Sequence, residues 1–315
     1  MSSFPEFSAN DSLILSKRGT KNRVDPEIPY AFLAEKERTS AGKIADTAVI
    51  FLTGTECPFR CLMCDLWKNT INERVKPGNI PRQIEYALTR LPHSDQVKLY
   101  NSGSFFDRRA VPPEDFRKIA GLMEEFETVV VESHPAFIGK ICVEFGRMLK
   151  GRLEIAIGLE TIHPELVKKL NKKMSPELFS EKVSFLVENG ISARAFILLR
   201  PPFLSEKEGV HWAKKSIDFA FDSGVECCTV IPVRPGNGTM DELLRLGYFT
   251  PPKVNSLEKV LEYGIKLNRG RVFADTWDLK MFSECDLCLD KRTARITEIN
   301  LSQEIRPLIH CNCRS

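Results

Sequence analysis

Three cysteines lie within the segment 57–64, CPFRCLMC, with three and then two residues between them. Four residues before the segment, an apolar run ends: TAVIFL at 47–52 has the length and the β-branched content of a buried strand. Thiolates prefer soft metal ions, and a loop that leaves a strand can wrap around such a group. The pattern therefore predicts that Cys57, Cys61 and Cys64 are metal ligands at the end of a β-strand.

The number of ligands separates the kinds of metal site. An electron-transfer 4Fe–4S cluster takes four cysteines, so a loop with three leaves one iron open to a small molecule. Zinc is the alternative, but zinc sites are usually built from CxxC pairs, and a CxxxC step is unusual in them. Unrelated buried thiols are a third interpretation. The strand followed by a loop favours the iron–sulfur cluster.

The loop resembles the signature of the radical S-adenosylmethionine (SAM) superfamily, in which CxxxCxxC follows the first barrel strand. The resemblance implies a 4Fe–4S cluster on Cys57, Cys61 and Cys64, with its open iron chelated by the amino and carboxylate groups of SAM. It also implies the reaction, in which reductive cleavage of SAM gives a 5′-deoxyadenosyl radical that abstracts hydrogen from a substrate. Met63 is expected to pack beside the adenine.

A repeating order of short apolar strand, polar loop and helical pattern begins near residue 45. Strands that alternate with helices imply a parallel sheet with right-handed crossovers. The strands are predicted at 47–52, 96–100, 127–131, 153–158, 193–199 and 226–231, with a seventh candidate at 271–275. The helices are predicted at 81–91, 113–126, 164–170, 176–189, 206–223 and 255–268.

The predicted fold class is α/β, and the radical SAM resemblance implies a partial (β/α)6 TIM-like barrel. We expect three regions: an N-terminal extension over 1–45, the core barrel over 46–275, and a cysteine-containing C-terminal tail over 276–315. Ligands of such sheets gather at the carboxyl ends of the parallel strands. The loops at those ends should therefore carry the cofactor-binding residues.

Ser102, Gly103 and Ser104 follow the second predicted strand. Glycine allows a backbone to approach a ligand closely, and a Gly-rich segment in this place binds the SAM amino group in the family that the chain resembles. A plain polar turn is the alternative interpretation.

Charged residues end the next three predicted strands. Glu132 and Glu160 follow the third and fourth strands, and carboxylates suit the hydroxyl and ammonium donors of SAM. Arg200 follows the fifth strand and is expected to pair with a carboxylate of SAM or of the substrate. His134 is either part of this site or a structural histidine, and Arg234 faces either substrate or solvent.

Short motifs at the strand ends resemble one subgroup, the radical SAM subunit of archaeosine synthase and its bacterial relatives, within the Elongator-catalytic-subunit-like branch. They are GSF, ESxP, GLET and PPFLSE, within a region of roughly 45–275. The resemblance implies a modified base of tRNA as substrate and an electron donor such as ferredoxin or flavodoxin. Because one scaffold supports different reactions, a small-molecule substrate stays open.

A second group of cysteines lies near the C-terminus, at Cys285, Cys288, Cys311 and Cys313. A CxxC pair and a CxC pair supply four thiolates, the number that a closed structural zinc site needs. The same four would hold a second iron–sulfur cluster, and independent thiols are the remaining alternative. We expect one bound metal site here.

The composition and charge argue against several other classes of protein. The 315 residues are 43% hydrophobic and 28% charged, as in ordinary globular proteins. No run approaches the roughly 18 apolar residues of a membrane span, and the N-terminus lacks a signal-peptide pattern, so we expect no membrane contact and a cytoplasmic location. A net charge of +3 is too small to imply nucleic acid. The basic cluster Lys17, Arg18, Lys21 and Arg23 is expected to be a solvated patch, with RNA contact as the alternative.

Two other functions stay open at this point. A non-catalytic iron–sulfur or zinc protein that binds RNA would need no SAM site. An enzyme that uses SAM only as a methyl donor would not need a redox-active loop of three cysteines.

Overall fold

Ten β-strands and ten α-helices form the part of the chain that the computed structural model describes, residue 7 and residues 9–311. The strands are β1 Ala31–Arg38, β2 Ile44–Leu52, β3 Gly54–Thr55, β4 Thr70–Ile71, β5 Gln96–Asn101, β6 Thr128–Glu132, β7 Arg152–Glu160, β8 Ser192–Leu199, β9 Cys227–Pro232 and β10 Arg271–Ala274. The helices are α1 Asp11–Ser16, α2 Asn79–Leu88, α3 Phe116–Leu122, α4 Lys140–Gly146, α5 Leu166–Lys169, α6 Pro176–Glu188, α7 Glu206–Asp222, α8 Thr239–Arg245, α9 Val254–Leu267 and α10 Asp286–Ser302. Each described helix is too short or too polar to span a bilayer.

Eight of the strands form one curled sheet in the order β1-β2-β5-β6-β7-β8-β9-β10, and the short strands β3 and β4 pair beside it. From β2 onward the neighbours run parallel, whereas β1 pairs antiparallel with β2. Each of the seven predicted strands overlaps an observed one. The predicted α/β half-barrel is confirmed.

The antiparallel strand β1 differs from the sequence expectation, because it lies within the region 1–45 and completes one edge of the sheet. Half of its sequence, AFLAEKER, is charged, and within it only Glu37 is fully buried. Edge strands that meet solvent carry such charged sequences. The strand therefore gives no apolar signal that distinguishes it from a loop.

Alternation along the parallel strands divides the side chains between two environments. Val97 and Leu99 of β5 and Ile155 and Ile157 of β7 belong to the main apolar core, together with residues of the surrounding helices. The residues between them face the inside of the barrel. The strands therefore show nearly continuous burial, as expected for a parallel sheet covered on its outer face by helices.

The inside of the barrel is closed near the amino ends of the strands by buried charges. Arg194 of β8 donates to both carboxylate oxygens of Glu37 at 3.0 and 2.6 Å, and to Glu154 at 2.5 Å. Lys98 donates to Glu37 at 2.5 Å, and Arg271 to Glu154 at 2.9 Å. Burial alone would raise the pKa of Glu37, but Arg194 and Lys98 hold that pKa well below its usual range. This network joins β1 to strands across the barrel.

Helix α10 covers the open edge of the sheet at β10. Asn300 exchanges two hydrogen bonds with the backbone of Ala274, both at 2.9 Å. Gln303 does the same with Val272, at 2.8 and 3.0 Å. The two side chains satisfy an edge that would otherwise expose unpaired backbone groups. Because the later helix residue meets the earlier strand residue, α10 runs antiparallel to β10.

We predict that Glu37→Ala lowers the free energy of unfolding by about 3–5 kcal/mol, because it leaves Arg194 and Lys98 short of a buried counter-charge. Glu35→Ala is the matched control, since Glu35 also contacts Lys98 but its side chain is 40% exposed. That control should cost less than about 1 kcal/mol. Chemical denaturation of the three proteins measures both values. Equal losses of the free energy of unfolding in the two variants would show that the buried ion pairs of Glu37 contribute no more than the exposed ion pair of Glu35.

Candidate metal and cofactor site

The three-cysteine loop lies at the mouth of the half-barrel, where two buried asparagines fix its backbone. Asn171, which follows α5, donates to the carbonyl of Arg60 at 2.7 Å. Asn237, which follows β9, donates to the carbonyls of Leu62 at 2.8 Å and Cys64 at 3.2 Å. Both asparagine residues are 4% exposed. The loop conformation therefore depends on residues that the barrel brings from its far side.

The thiols of the loop are poor ligands until they lose their protons. Burial raises the pKa of Cys57 and Cys64 and raises that of Cys61 to about 12. Among the described residues, these sulfurs do not form a group whose ligand atoms all lie within 4.8 Å of one another. With the side chains in these positions, the three thiols are not grouped around the place of a single ion. An iron–sulfur cluster, which offers each thiolate a separate iron, fits the donor set.

Glu56, which precedes the first cysteine, forms ion pairs with three cationic side chains. It pairs with Arg18 at 2.7 Å, with Lys21 at 2.8 Å and with Arg60 at 3.2 Å. The Arg18 guanidinium also lies 4.8 Å from the ring centre of Trp67. The expectation of a solvated basic patch is wrong for Arg18, whose side chain is 8% exposed. The basic cluster instead ties the N-terminal region to the cysteine loop.

A buried lysine that the sequence analysis did not identify, Lys172, lies beside the loop. Its ammonium group forms an ion pair with Glu160. Gly158 leaves the space that this ammonium occupies, since a Cβ there would overlap with Lys172 Nζ. Burial alone would lower the pKa of Lys172, but Glu160 and Cys61 raise it. Lys172 therefore supplies a fixed positive charge next to the thiols, and Glu160 holds it in place.

Glu132, at the end of β6, is a carboxyl group without a hydrogen-bond partner in the described part of the chain. Burial raises its pKa to about 8, against the opposing effect of Lys172. A carboxyl group in such a place is costly unless it has a donor or a cation to bind. A strongly perturbed carboxyl group in a cleft is also typical of a functional site.

The end of β5 offers a further group that lacks a partner. Both side-chain amide atoms of Asn101 are buried and have no hydrogen bond among the described residues. Next to it, a Cβ on Gly103 would lie 3.4 Å from the carbonyl oxygen of Thr55, so the backbones pass closely. The Ser102 hydroxyl lies beside Tyr30, and that of Ser104 accepts from the backbone of His134 at 2.9 Å. Buried amides are normally hydrogen-bonded, so Asn101 fits a ligand site.

The C-terminal cysteines form a separate group. The sulfurs of Cys285, Cys288 and Cys311 all lie within 4.8 Å of one another. The pKa of Cys285 is lowered to about 7, chiefly by the backbone N–H of Cys288. The predicted fourth member, Cys313, lies outside the described residues.

Relatives in sequence include proteins of the expected subgroup, although no protein-family model matches the chain. An uncharacterized protein of Methanocaldococcus jannaschii is 25% identical over 327 residues, which cover 96% of this chain and 88% of that protein. The archaeosine synthase subunit beta of Thermococcus kodakarensis is 29% identical over 166 residues, which cover 50% of this chain and 51% of the subunit. The chain therefore matches about half the length of that subunit.

Solved structures share the half-barrel. Methylornithine synthase (PylB) has a TM-score of 0.54 at 16% identity, covering 78% of this chain and 68% of that one. Elp3 of Methanocaldococcus infernus has a TM-score of 0.51 at 14% identity, covering 71% of this chain and 59% of that one. The resemblance to radical SAM enzymes is confirmed. The half-barrel of this chain carries the CxxxCxxC loop at its mouth.

Three other residues singled out in the sequence have clear places in the half-barrel. His134 is a satisfied structural histidine: Nδ1 accepts from Ala136 at 3.1 Å, and Nε2 lies 3.0 Å from the Lys172 carbonyl. Arg200 already donates to Glu206 at 2.6 Å, and its predicted role toward a ligand carboxylate stays a prediction. Met63 packs against a second apolar cluster, and its predicted place beside the adenine stays a prediction too.

We predict that Asn237→Asp weakens the cysteine loop, since it replaces two donations to loop carbonyls by a repelling carboxylate while keeping the acceptor that binds Met240 N at 2.7 Å. The free energy of unfolding should fall by at least about 2 kcal/mol. Iron retained after anaerobic reconstitution should fall as well. Asn189→Asp, at an exposed asparagine that donates to Phe185 at 2.8 Å, is the control: it should leave the iron unchanged and lower the free energy of unfolding by less than about 1 kcal/mol. Unchanged iron in both variants would contradict this role of Asn237.

Proposed function

We propose that the protein is a radical SAM enzyme that holds a 4Fe–4S cluster on Cys57, Cys61 and Cys64. The observation that carries the proposal is a loop of three half-buried thiols at the mouth of a half-barrel that resembles those of PylB and Elp3. The other described cysteines lie elsewhere, in α4, in β9 and in the C-terminal group. A cluster held here therefore keeps one iron for a ligand.

SAM is the ligand that the surrounding groups fit. The unpartnered amide of Asn101 and the close backbone at Gly103 offer polar contacts on the β5 side of the loop. Glu132 offers an unpartnered carboxyl group for the cationic or hydroxyl donors of SAM. Glu160 contributes by fixing Lys172, whose charge suits a ligand carboxylate. Ser102, Ser104, Met63 and Arg200 complete the proposed set.

When bound, the reduced cluster would supply one electron for cleavage of the SAM sulfonium, and the resulting 5′-deoxyadenosyl radical would remove hydrogen from the substrate. The chain itself holds and shields the reactants. The ion pairs of Glu37 and Glu154 close the amino end of the barrel, so the mouth is the open end. Lys172, which lies beside Cys61, is held by its ion pair with Glu160.

The proposed substrate is a modified base of tRNA, since two relatives are named archaeosine synthase subunit beta. A small-molecule substrate is the alternative, and ferredoxin or flavodoxin is the proposed electron donor. The alternative function, RNA binding without catalysis, gains no support, because Arg18 and Lys21 form ion pairs with Glu56.

The test is reductive cleavage of SAM. Anaerobically reconstituted protein with dithionite should convert SAM to 5′-deoxyadenosine, and Cys61→Ala should lose this activity because two thiolates do not retain the cluster. Cys142→Ala, at a buried cysteine of α4 far from the loop in sequence, should keep it. Full cleavage by Cys61→Ala, or none by the parent protein with a complete cluster, would contradict the proposal.

We also predict a pH dependence of SAM binding from Glu132. Below pH 8 this carboxyl group is mostly protonated in the free protein, and a cationic ligand favours its charged form. Affinity should therefore rise with pH up to about 8, by at most tenfold per pH unit. The amino group of SAM also titrates in this range, so the decisive quantity is the difference between the parent protein and Glu132→Gln. Equilibrium dialysis from pH 6.5 to 8.5 should give a flatter profile for the variant. Identical profiles would exclude Glu132 from the binding site.

A further inference from the structure

Three cysteines from two distant parts of the chain meet beside the first turn of α10. Cys285 immediately precedes the helix, Cys288 lies within its first turn, and Cys311 comes from the end of the described chain. Their sulfurs all lie within 4.8 Å of one another. Independent thiols have no reason to converge across 26 residues of sequence.

The spacing of these sulfurs fits a single ion. Tetrahedral zinc binds thiolates at about 2.3 Å, which puts the sulfurs about 3.8 Å apart. The observed group is within 4.8 Å, so a small inward movement of the side chains completes such a site. The loop cysteines at the barrel mouth lack this close grouping, as a larger cluster requires. The two cysteine groups therefore differ in the size of the metal centre that they fit.

The surroundings favour a structural rather than a catalytic ion. Cys288 is 6% exposed and packs into the protein, whereas Cys311 is exposed. The chain between them passes Arg295, which donates to the carbonyl of Pro307 at 2.7 Å and to Glu258 of α9 at 3.1 Å. A bound ion would join the exposed end of this segment, at Cys311, to the buried start of α10 at Cys288.

We propose that Cys285, Cys288 and Cys311 bind a structural zinc ion that fastens the C-terminal segment to the start of α10. Cys313, two residues beyond Cys311, is the fourth thiolate predicted from the sequence. The ion closes the stretch 285–311 into a loop that contains Asn300 and Gln303, the residues that satisfy the edge of β10. The zinc therefore secures the helix that covers the open side of the half-barrel.

The test uses the full chain in which Cys57, Cys61 and Cys64 are all replaced by alanine, so that its result is independent of the proposed enzyme activity. Produced with both iron and zinc in the medium, this protein should contain one zinc per chain and no iron. Adding Cys311→Ser, at an exposed residue whose change leaves the core intact, should lower zinc at least tenfold. Cys311→His should restore it, since histidine also binds zinc. Cys142→Ser, at an unrelated buried cysteine, should leave it unchanged.

A second measurement follows the structural role. Hydrogen exchange should show faster exchange in α10 in the Cys311→Ser protein and normal exchange in the Cys311→His protein. Zinc that persists in Cys311→Ser would overturn the assignment of this ligand set. About four iron atoms per chain in place of zinc would overturn the assignment of zinc and would indicate a second iron–sulfur cluster. A protein that contains neither zinc nor iron would show that these cysteines are ordinary thiols, which would overturn the proposal.

Discussion

The rest of the structure depends on the ion pairs of Glu37, Arg194 and Glu154, because they fill the interior of the half-barrel at its amino end. They replace an apolar plug at the amino end with charges that are nearly inaccessible to water. Charges in such a place are tolerated only when each is paired and hydrogen-bonded. The same network brings β1 against strands on the other side of the sheet. The curl of the sheet, and with it the mouth where ligands bind, depends on this pairing.

Most of the parallel sheet could be predicted from the sequence, since a strand covered by helices must be apolar over most of its length, as TAVIFL at 47–52 is. The prediction failed where polar partners replace apolar ones. The strand β1 is held through Glu37, and α10 through Arg295, Asn300 and Gln303. Such residues add nothing to an apolar pattern. Apart from Cys288, the buried apolar residues of α10 are Ile296 and Ile299, a sparse pattern among polar neighbours that is a weak signal for a helix.

The cysteine loop was visible in the sequence because ligand spacing is a local property. The residues that hold the loop are not local. Asn171 and Asn237 reach it from the far side of the barrel, and Lys172 differs from its exposed neighbour Lys173 only through burial. Folding decides which of two adjacent lysines faces the thiols. Arg200 shows the reverse case, because its place at a strand end predicted a ligand contact while the fold supplies Glu206 as a partner.

In the proposed enzyme, one iron of the cluster at the mouth of the half-barrel is open to SAM. The most direct test is electron–nuclear double resonance of the reduced, reconstituted protein with SAM labelled with ¹⁵N in its amino group and ¹⁷O in its carboxylate. Both labels should show hyperfine couplings to the cluster. They should be absent from Cys61→Ala, which does not retain the cluster. A complete cluster whose spectrum shows no coupling to either label, at a SAM concentration that saturates binding, would contradict the account.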